Sequence, residues 1–174
     1  MKHHLVRRAL AAGALFALPI TAAPVQALGS TGVLATFEGH TIDLSKGWGD
    51  ARACTVEASG VTCYRSELSM NQAESLTISG EAAVASLTCS PALRLYDGAS
   101  FTGTVLFITT RGALVTLASL GFDNVTSSYR IGGCAANLYS GILTGLYPGN
   151  TAANAQSATM LAGWSNVLSS VLVQ

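Results

Sequence analysis

The sequence predicts an all-β protein, a two-layer sandwich built from two similar repeats of about four strands each. Residues 122–128 and 164–170 share a pattern of one aromatic residue, a polar pair, two variable residues and a Ser-Ser pair, 42 positions apart. From residue 93 onward, short runs of alternating apolar and polar residues are separated by glycine turns, as is typical of strands. Each repeat is too small to bury a face by itself, so the two should pack around a shared core.

The duplication covers a unit longer than the loop itself. Gly103 precedes Ser128 by 25 residues, and Gly145 precedes Ser170 by the same interval. Equal spacing in both copies indicates two structural repeats. Strands are predicted in this part of the chain at residues 93–96, 104–109, 113–117, 128–131 and 170–173.

The first 27 residues have the pattern of a secretory signal peptide. A basic start is followed by an apolar run at residues 9–20 and a small-x-Ala cleavage site at residues 25–27. No later apolar run is long enough to span a membrane. We therefore expect a secreted, extracellular protein with a signal of bacterial type. The sequence does not determine the oligomeric state; we favour a monomer.

Removal of the signal changes the charge. The whole chain has nine basic and nine acidic residues, and the signal contains three of the basic ones. Six basic residues against nine acidic ones leave a formal charge of −3. A weakly acidic surface argues against nucleic acid or an anionic membrane as a partner.

Export also decides how the four cysteines are interpreted. Cys54, Cys63, Cys89 and Cys134 are an even number in an oxidising compartment and include no CxxC pair, which favours two disulfides over a zinc site. Three pairings are possible, and the sequence alone does not choose among them. We favour Cys54 with Cys63, across a predicted hairpin, and Cys89 with Cys134, at the starts of the two repeats.

The mature chain divides near residue 88, where the composition changes. Residues 28–88 form a small amino-terminal segment that ends in an alanine-rich connector at 79–86, for which a helix over 80–87 is an alternative. Residues 89–174 form the repeated domain, with repeats at about 89–132 and 133–174. Strands in the first segment are predicted at residues 33–37, 41–44, 52–56 and 60–64.

A short helix is predicted over residues 66–76. Ser66 is a suitable N-terminal cap, and Leu68, Gln72 and Leu76 recur at helical spacing. The apolar face is thin. In the preceding loop, Trp48 is flanked by glycines and, if exposed, would be a candidate anchor for a binding partner.

The repeated domain resembles the βγ-crystallin family. Its Greek-key signature is an aromatic residue, six residues, a glycine and a distant serine, and Tyr96, Gly103 and Ser128 fit it. In the second unit the residue seven positions before Gly145 is Leu138, and the aromatic Tyr139 comes one residue late. The resemblance implies a double Greek-key sandwich, preceded here by a disulfide-linked β-hairpin. That hairpin ahead of such a domain is similar to secreted bacterial metalloproteinase inhibitors.

The resemblance also implies a calcium site in the first copy of the loop. Calcium-binding members have Asn/Asp, Asn/Asp, two variable residues, Ser/Thr and Ser, and residues 123–128 match at every specified position. Asp123, Asn124 and Ser127 would then supply oxygen ligands, completed by residues 140–143. Oxygen ligands are what this hard cation requires. The alternative is a turn in which Asp123 and Asn124 bond only to local backbone.

The second copy is a poorer match, because Ser165 stands in place of the first acid or amide. Asn166 and Ser169 remain, and the partner hairpin would add Asp97. Each site therefore has about one carboxylate, which implies weak binding. The family assigns Ser128 and Ser170 a structural role, in which the hydroxyl pins the folded hairpin.

The motifs of common enzymes are missing. The sequence has no GxSxG elbow and no HExxH, and His40 has no acid at a motif spacing. We therefore expect a non-enzymatic secreted binding or structural module that binds calcium weakly. The alternative is a peptidase inhibitor acting on an extracellular protease, with the Cys54–Cys63 hairpin as one place for an inhibitory loop.

Overall fold

The computed structural model describes residues 32–77 and 88–174. The predicted signal peptide and the predicted connector at 79–86 lie outside these residues. Within the described part, the protein is mostly β with one short α-helix, which confirms the predicted fold class. No helix in these two ranges is long and apolar enough to cross a membrane.

The elements are β1 (Leu34–Phe37), β2 (His40–Asp43), β3 (Ala53–Glu57), β4 (Gly60–Tyr64), α1 (Glu67–Thr77), β5 (Thr88–Tyr96), β6 (Val105–Thr110), β7 (Leu114–Thr116), β8 (Ser128–Arg130), β9 (Ala136–Tyr139), β10 (Gln156–Ser157) and β11 (Ser170–Val173).

The two repeats exchange one strand each. The first repeat has β5, β6 and β8 in a large sheet and β7 in a small one, whereas the second has β9 and β11 in the small sheet and β10 in the large one. The second strand of the second repeat is reduced to a bridge between Tyr139 and Leu146. Since each repeat gives its third strand to the sheet of the other, the two form interlocked Greek keys.

The amino-terminal strands continue the large sheet, whose order is β10-β8-β5-β6-β3-β4-β1-β2. β3 pairs in parallel with β6, with Cys54 opposite Leu106. This pairing joins residues that are about 50 positions apart, and strand patterns in the sequence do not reveal it. The division near residue 88 stays a prediction, and strands on its two sides are hydrogen-bonded to each other.

The main core lies between the two sheets and receives residues from both sides of that division. Leu93, Leu95 and Leu106 of the large sheet pack with Leu138 and Val171 of the small one. Burial of each such side chain contributes roughly 1.5–3 kcal/mol relative to exposure. The sequence pattern predicted a core shared by the two repeats, and the observed core also contains residues of the amino-terminal segment, such as Ala35 and Leu44.

Helix α1 covers part of the outer face of the large sheet. Ser66 caps it as predicted, because its hydroxyl accepts a hydrogen bond from the backbone N–H of Ser69 at 3.1 Å. The predicted apolar face is wrong at Leu68, which is 67% exposed. Met70 is the buried residue instead, and it packs against Tyr96 and Phe107. The sheet surface, which the helix sequence does not specify, selects the contact face.

The two disulfides link Cys54 to Cys63 and Cys89 to Cys134, the pairing that we favoured. Cys54 and Cys63 are directly opposite in the β3–β4 ladder, with their Cα atoms 4.0 Å apart. Antiparallel partners that lack mutual backbone hydrogen bonds are close enough for such a link.

Trp48 is a core residue and not an exposed anchor. It is only 8% exposed, and its indole N–H donates to the carbonyl of Leu120 at 2.6 Å. Its ring lies 5.4 Å from that of Phe122, centroid to centroid. The glycine-punctuated loop around it therefore turns inward, and a partner-binding role for Trp48 is wrong.

Candidate metal site

The two copies of the repeated loop face each other. The backbone N–H of Asn124 donates to the carbonyl of Leu168 at 2.8 Å, and the N–H of Asn166 donates to the carbonyl of Thr126 at 2.9 Å. Asn124 and Asn166 have φ angles of 56° and 59°. Asparagine tolerates this left-handed region better than most residues. The repeated sequence thus places a left-handed asparagine at the same position of each copy.

The second serine of each copy ties its loop to a hairpin. Ser128 donates to the carbonyl of Gly98 and Ser170 to that of Gly141, both at 2.6 Å. Ser128 also accepts from the backbone N–H of Phe101 at 3.0 Å. Both serines are fully buried. Each buried hydroxyl therefore holds its loop against the hairpin of the same repeat.

The glycine of each hairpin stands where the hairpin leaves no room for a side chain. Gly103 has a φ of 83°, and a Cβ atom there would collide with the carboxylate of Asp97. Gly145 has a φ of 66° and is likewise crowded by the hydroxyl of Ser140. Tyr96 is buried and makes an edge contact with Phe101. These residues belong to the fold in both repeats.

The side chains of Asp123 and Asn124 are joined by a hydrogen bond. The Asn124 side-chain amide donates to Oδ2 of Asp123 at 2.8 Å. The other carboxylate oxygen, Oδ1, is buried and has no hydrogen-bond partner. A buried acceptor without a donor is unfavourable. The first loop thus holds a carboxylate oxygen that its protein surroundings leave unsatisfied.

Ser127 lies with the second loop. Its hydroxyl donates to Oδ1 of Asn166 at 3.1 Å, and the hydroxyl of Ser165 lies 3.4 Å from it. The motif predicts Ser127 as a calcium ligand together with Asp123, and it predicts no ligand at Ser165. The structure instead connects Ser127, Ser165 and Asn166 across the two loops.

Asp97 is engaged within its own hairpin. Its Oδ1 accepts from the backbone N–H of Thr104 at 2.7 Å. The adjacent Tyr96 carbonyl accepts from Ser127 N–H, and the equivalent Tyr139 carbonyl accepts from Ser169 N–H, both at 2.8 Å. Each loop therefore contacts a hairpin, but one oxygen of Asp97 already has a structural donor.

The donors and acceptors around the loops are mostly neutral. Across residues 32–77 and 88–174, no three His, Cys, Asp or Glu side chains are grouped so that they could hold a metal ion. Thr126 adds a second unpartnered oxygen, its buried Oγ1, at a position that the motif leaves variable. Nothing in the sequence marked Thr126, because its burial depends on the packing of the facing loop.

Comparison with known proteins gives structural neighbours only. No family model matches the sequence, and no curated protein matches it significantly. One similar solved structure concerns the evolution of the eye lens βγ-crystallin domain fold; it has 18% identity and a TM-score of 0.43, covering 53% of this chain and 93% of that one.

Two further neighbours come from named organisms. A βγ-crystallin of Ciona intestinalis has 21% identity and a TM-score of 0.40, covering 47% of this chain and 98% of its own. A βγ-crystallin domain of Flavobacterium johnsoniae has 26% identity and a TM-score of 0.36, covering 48% of this chain and 93% of its own. The protein is thus a mostly β molecule whose structural neighbours are βγ-crystallin domains, each matching about half of the chain.

Proposed function

We propose that this protein is a secreted, non-enzymatic binding or structural module that binds one calcium ion weakly at Asp123. The observation that carries the proposal is the buried Oδ1 of Asp123, which has no hydrogen-bond partner. Asn124 is adjacent and exposed, so its amide oxygen is accessible to an ion from solvent. Two disulfides support an oxidising, extracellular setting.

The composition of the loop favours calcium over transition metals. Carboxylate, amide, hydroxyl and carbonyl oxygens are the ligands of hard cations, and no thiolate or imidazole lies in either loop. Asp123 and Asn124 would hold the ion, and the ion would be the positively charged partner that Oδ1 of Asp123 lacks. With one carboxylate, we expect a dissociation constant of about 10⁻⁴ to 10⁻³ M, as in other extracellular modules.

The second loop is the weaker candidate. Asn166 and Ser169 are its remaining motif residues, and Asp97 is the acid that the partner hairpin would add. Asp97 already accepts a backbone hydrogen bond with Oδ1, and Asn166 already accepts one from Ser127. Recruiting either oxygen to an ion requires these bonds to change, so we propose one site and not two.

Calcium at about 10 mM is expected to raise the melting temperature by a few degrees. An ion that binds only the folded state with the affinity above stabilises it by about 1–3 kcal/mol, a shift on the order of 5 °C for a chain of this size. Differential scanning calorimetry with calcium and with a chelator measures the effect.

Asp123→Asn is the matched variant, because the amide keeps the size of the side chain and removes its charge. The calcium-dependent rise should disappear in this variant. Asn166→Ala is the control for the second loop and should keep most of the rise. If chelation leaves the melting curve of the unmodified protein unchanged, the protein does not use calcium, whatever its other role.

Peptidase inhibition is the second candidate. The observation that favours it is a hairpin whose backbone is pinned by the Ser170–Gly141 hydrogen bond while its apolar side chains are exposed. Ile142, Leu143 and Leu146 are 66%, 54% and 55% exposed. A rigid loop loses little entropy when a protease binds it, and large apolar side chains can fill a specificity pocket. The Cys54–Cys63 hairpin, in contrast, has only small or polar residues at its tip, residues 57–60.

Inhibition assays against thermolysin-like, subtilisin-like and trypsin-like proteases test this candidate. If the second hairpin is the inhibitory loop, Ile142→Asp together with Leu143→Asp should abolish inhibition, since a charged residue enters an apolar pocket poorly. The double substitution should leave the melting temperature nearly unchanged because both side chains are exposed. Absence of inhibition by the unmodified protein across the panel would remove this candidate.

A further inference from the structure

Two arginines stand side by side on the outer face of the large sheet. Arg94 of β5 and Arg130 of β8 are direct partners in the antiparallel ladder, and Arg130 is in turn opposite Gln156 of β10. The flanking residues Leu95 and Tyr129 point into the main core, so this row faces away from it. Like charges directly opposite each other destabilise a sheet unless a negative charge offsets them.

Of the two guanidinium groups, only that of Arg94 has a carboxylate partner among the described residues. Glu67 of α1 lies 3.1 Å from Nη1 of Arg94 and also accepts from the Tyr96 hydroxyl at 3.2 Å. Arg130 forms no ion pair among the described residues. Its guanidinium is stacked on the ring of Phe101, 4.1 Å from the centroid, and its Nε is buried without a hydrogen-bond partner. The positive charge of Arg130 therefore has no negatively charged partner among the described residues.

A cavity of about 200 Å³ adjoins this charge. Arg94, Arg130, Asn154 and Gln156 line it, together with apolar wall residues that include Pro91, and no acidic side chain does. Guanidinium and amide groups are all hydrogen-bond donors. The volume corresponds to roughly six or seven water molecules in the liquid, which is room for an acid group and a short stem.

We propose that this cavity binds a carboxylate. Glu67 offsets one of the two positive charges, so a monoanion matches the remaining charge better than a dianionic phosphate does. The planar fork of an arginine suits the two oxygens of a carboxylate, and stacking on Phe101 holds that fork in place. The carboxylate belongs either to a small free acid or to the carboxyl terminus of a peptide. This site is separate from the calcium loops and does not depend on them.

The test is a titration followed by NMR, observing the arginine Nε–H signals of the ¹⁵N-labelled protein at constant ionic strength. Acetate and glucuronate represent free acids, and an acetylated alanine dipeptide with a free or an amidated terminus represents a chain end. Saturable shifts at Arg130 with acetate, glucuronate or the free-terminus peptide support the site. The probe that binds most tightly shows whether the carboxylate comes from a free acid or from a peptide terminus. Shifts that stay linear, or that chloride reproduces, mean an adventitious ion only and overturn it. Tighter binding of inorganic phosphate than of every carboxylate also overturns it.

Variants separate binding from folding. R130Q should weaken the affinity by about tenfold or more, the equivalent of one charge-assisted contact. R111Q is the control, because Arg111 is exposed and bonds the carbonyl of Gln174 on another part of the surface. E67Q removes the competing carboxylate and should tighten binding several-fold, a change that a purely structural role of the arginines does not produce. Unchanged affinity in both R130Q and E67Q would contradict the proposal, and E67Q still decides if R130Q does not fold.

Discussion

Replacing Trp48 by alanine is expected to lower the free energy of unfolding by about 3–5 kcal/mol. The indole is buried against Phe122. Removing a buried aromatic side chain leaves a cavity, and the loss of stability is typically of this size. The substitution also deprives the Leu120 carbonyl of its indole donor, which adds to the loss. Urea unfolding followed by circular dichroism measures the change.

The same experiment tests whether residues 32–77 unfold together with the sandwich. Trp48 belongs to the main core, which contains residues from both parts of the chain, so we expect one cooperative transition at a lower urea concentration. Trp164→Ala is the control: Trp164 is only partly buried, against Tyr147, and should lose less stability. Two separated transitions in Trp48→Ala would show that the amino-terminal strands are an independent unit.

Replacing Cys89 and Cys134 together by alanine is expected to cost about 4 kcal/mol of stability. A disulfide restricts the unfolded chain, and the loop-closure model gives a larger effect for a longer loop. This bond closes a separation of 45 residues and joins the start of β5 to the segment before β9. Its removal therefore frees the two repeats from each other in the unfolded state. Equilibrium unfolding under non-reducing conditions measures the loss.

The second disulfide provides the comparison. Cys54 and Cys63 are nine residues apart, for which the same model gives about 3 kcal/mol. The Cys54→Ala, Cys63→Ala variant should therefore be the more stable of the two. The reverse order would mean that contacts of the buried sulfur atoms in the β3–β4 hairpin, and not loop closure, determine the contribution.

The strands were predictable where alternation and turn residues coincide. The predictions for β4 and β11 have the observed boundaries, and most others differ by one residue at one or both ends. β5 was predicted too short, since its first half runs through Pro91 and a register shift against β6. β9 and β10 were not predicted. β10 has two residues, which is too few to show a period, and it exists because it pairs with β8.

The motif predicts Asp123 and Asn124 as ligands, and that prediction stays open. The structure adds a hydrogen bond between their side chains. The motif did not indicate that Ser127 bonds Asn166 across the loops or that Asp97 is held by Thr104. Side-chain direction within an irregular loop depends on the facing segment, and a linear motif contains no information on that segment.

The cavity at Arg130 could not be predicted from the sequence at all. Its residues Arg94, Arg130 and Gln156 are far apart in the sequence and belong to no motif. Their alignment results from the register of three strands, and only the order of strands in the sheet places them next to one another.

By itself, the sequence determined the duplication and the mostly β character, because these depend on local period and equal spacing. The role of the two serines came from the family resemblance. The preferred disulfide pairing also came from the sequence, as a choice among three alternatives. The tertiary structure alone decided that β3 extends the large sheet through β6 and that Trp48 is buried. It also decided that Asp123 keeps an unsatisfied oxygen. These features arise from contacts between distant segments, whose geometry is set when the two sheets pack.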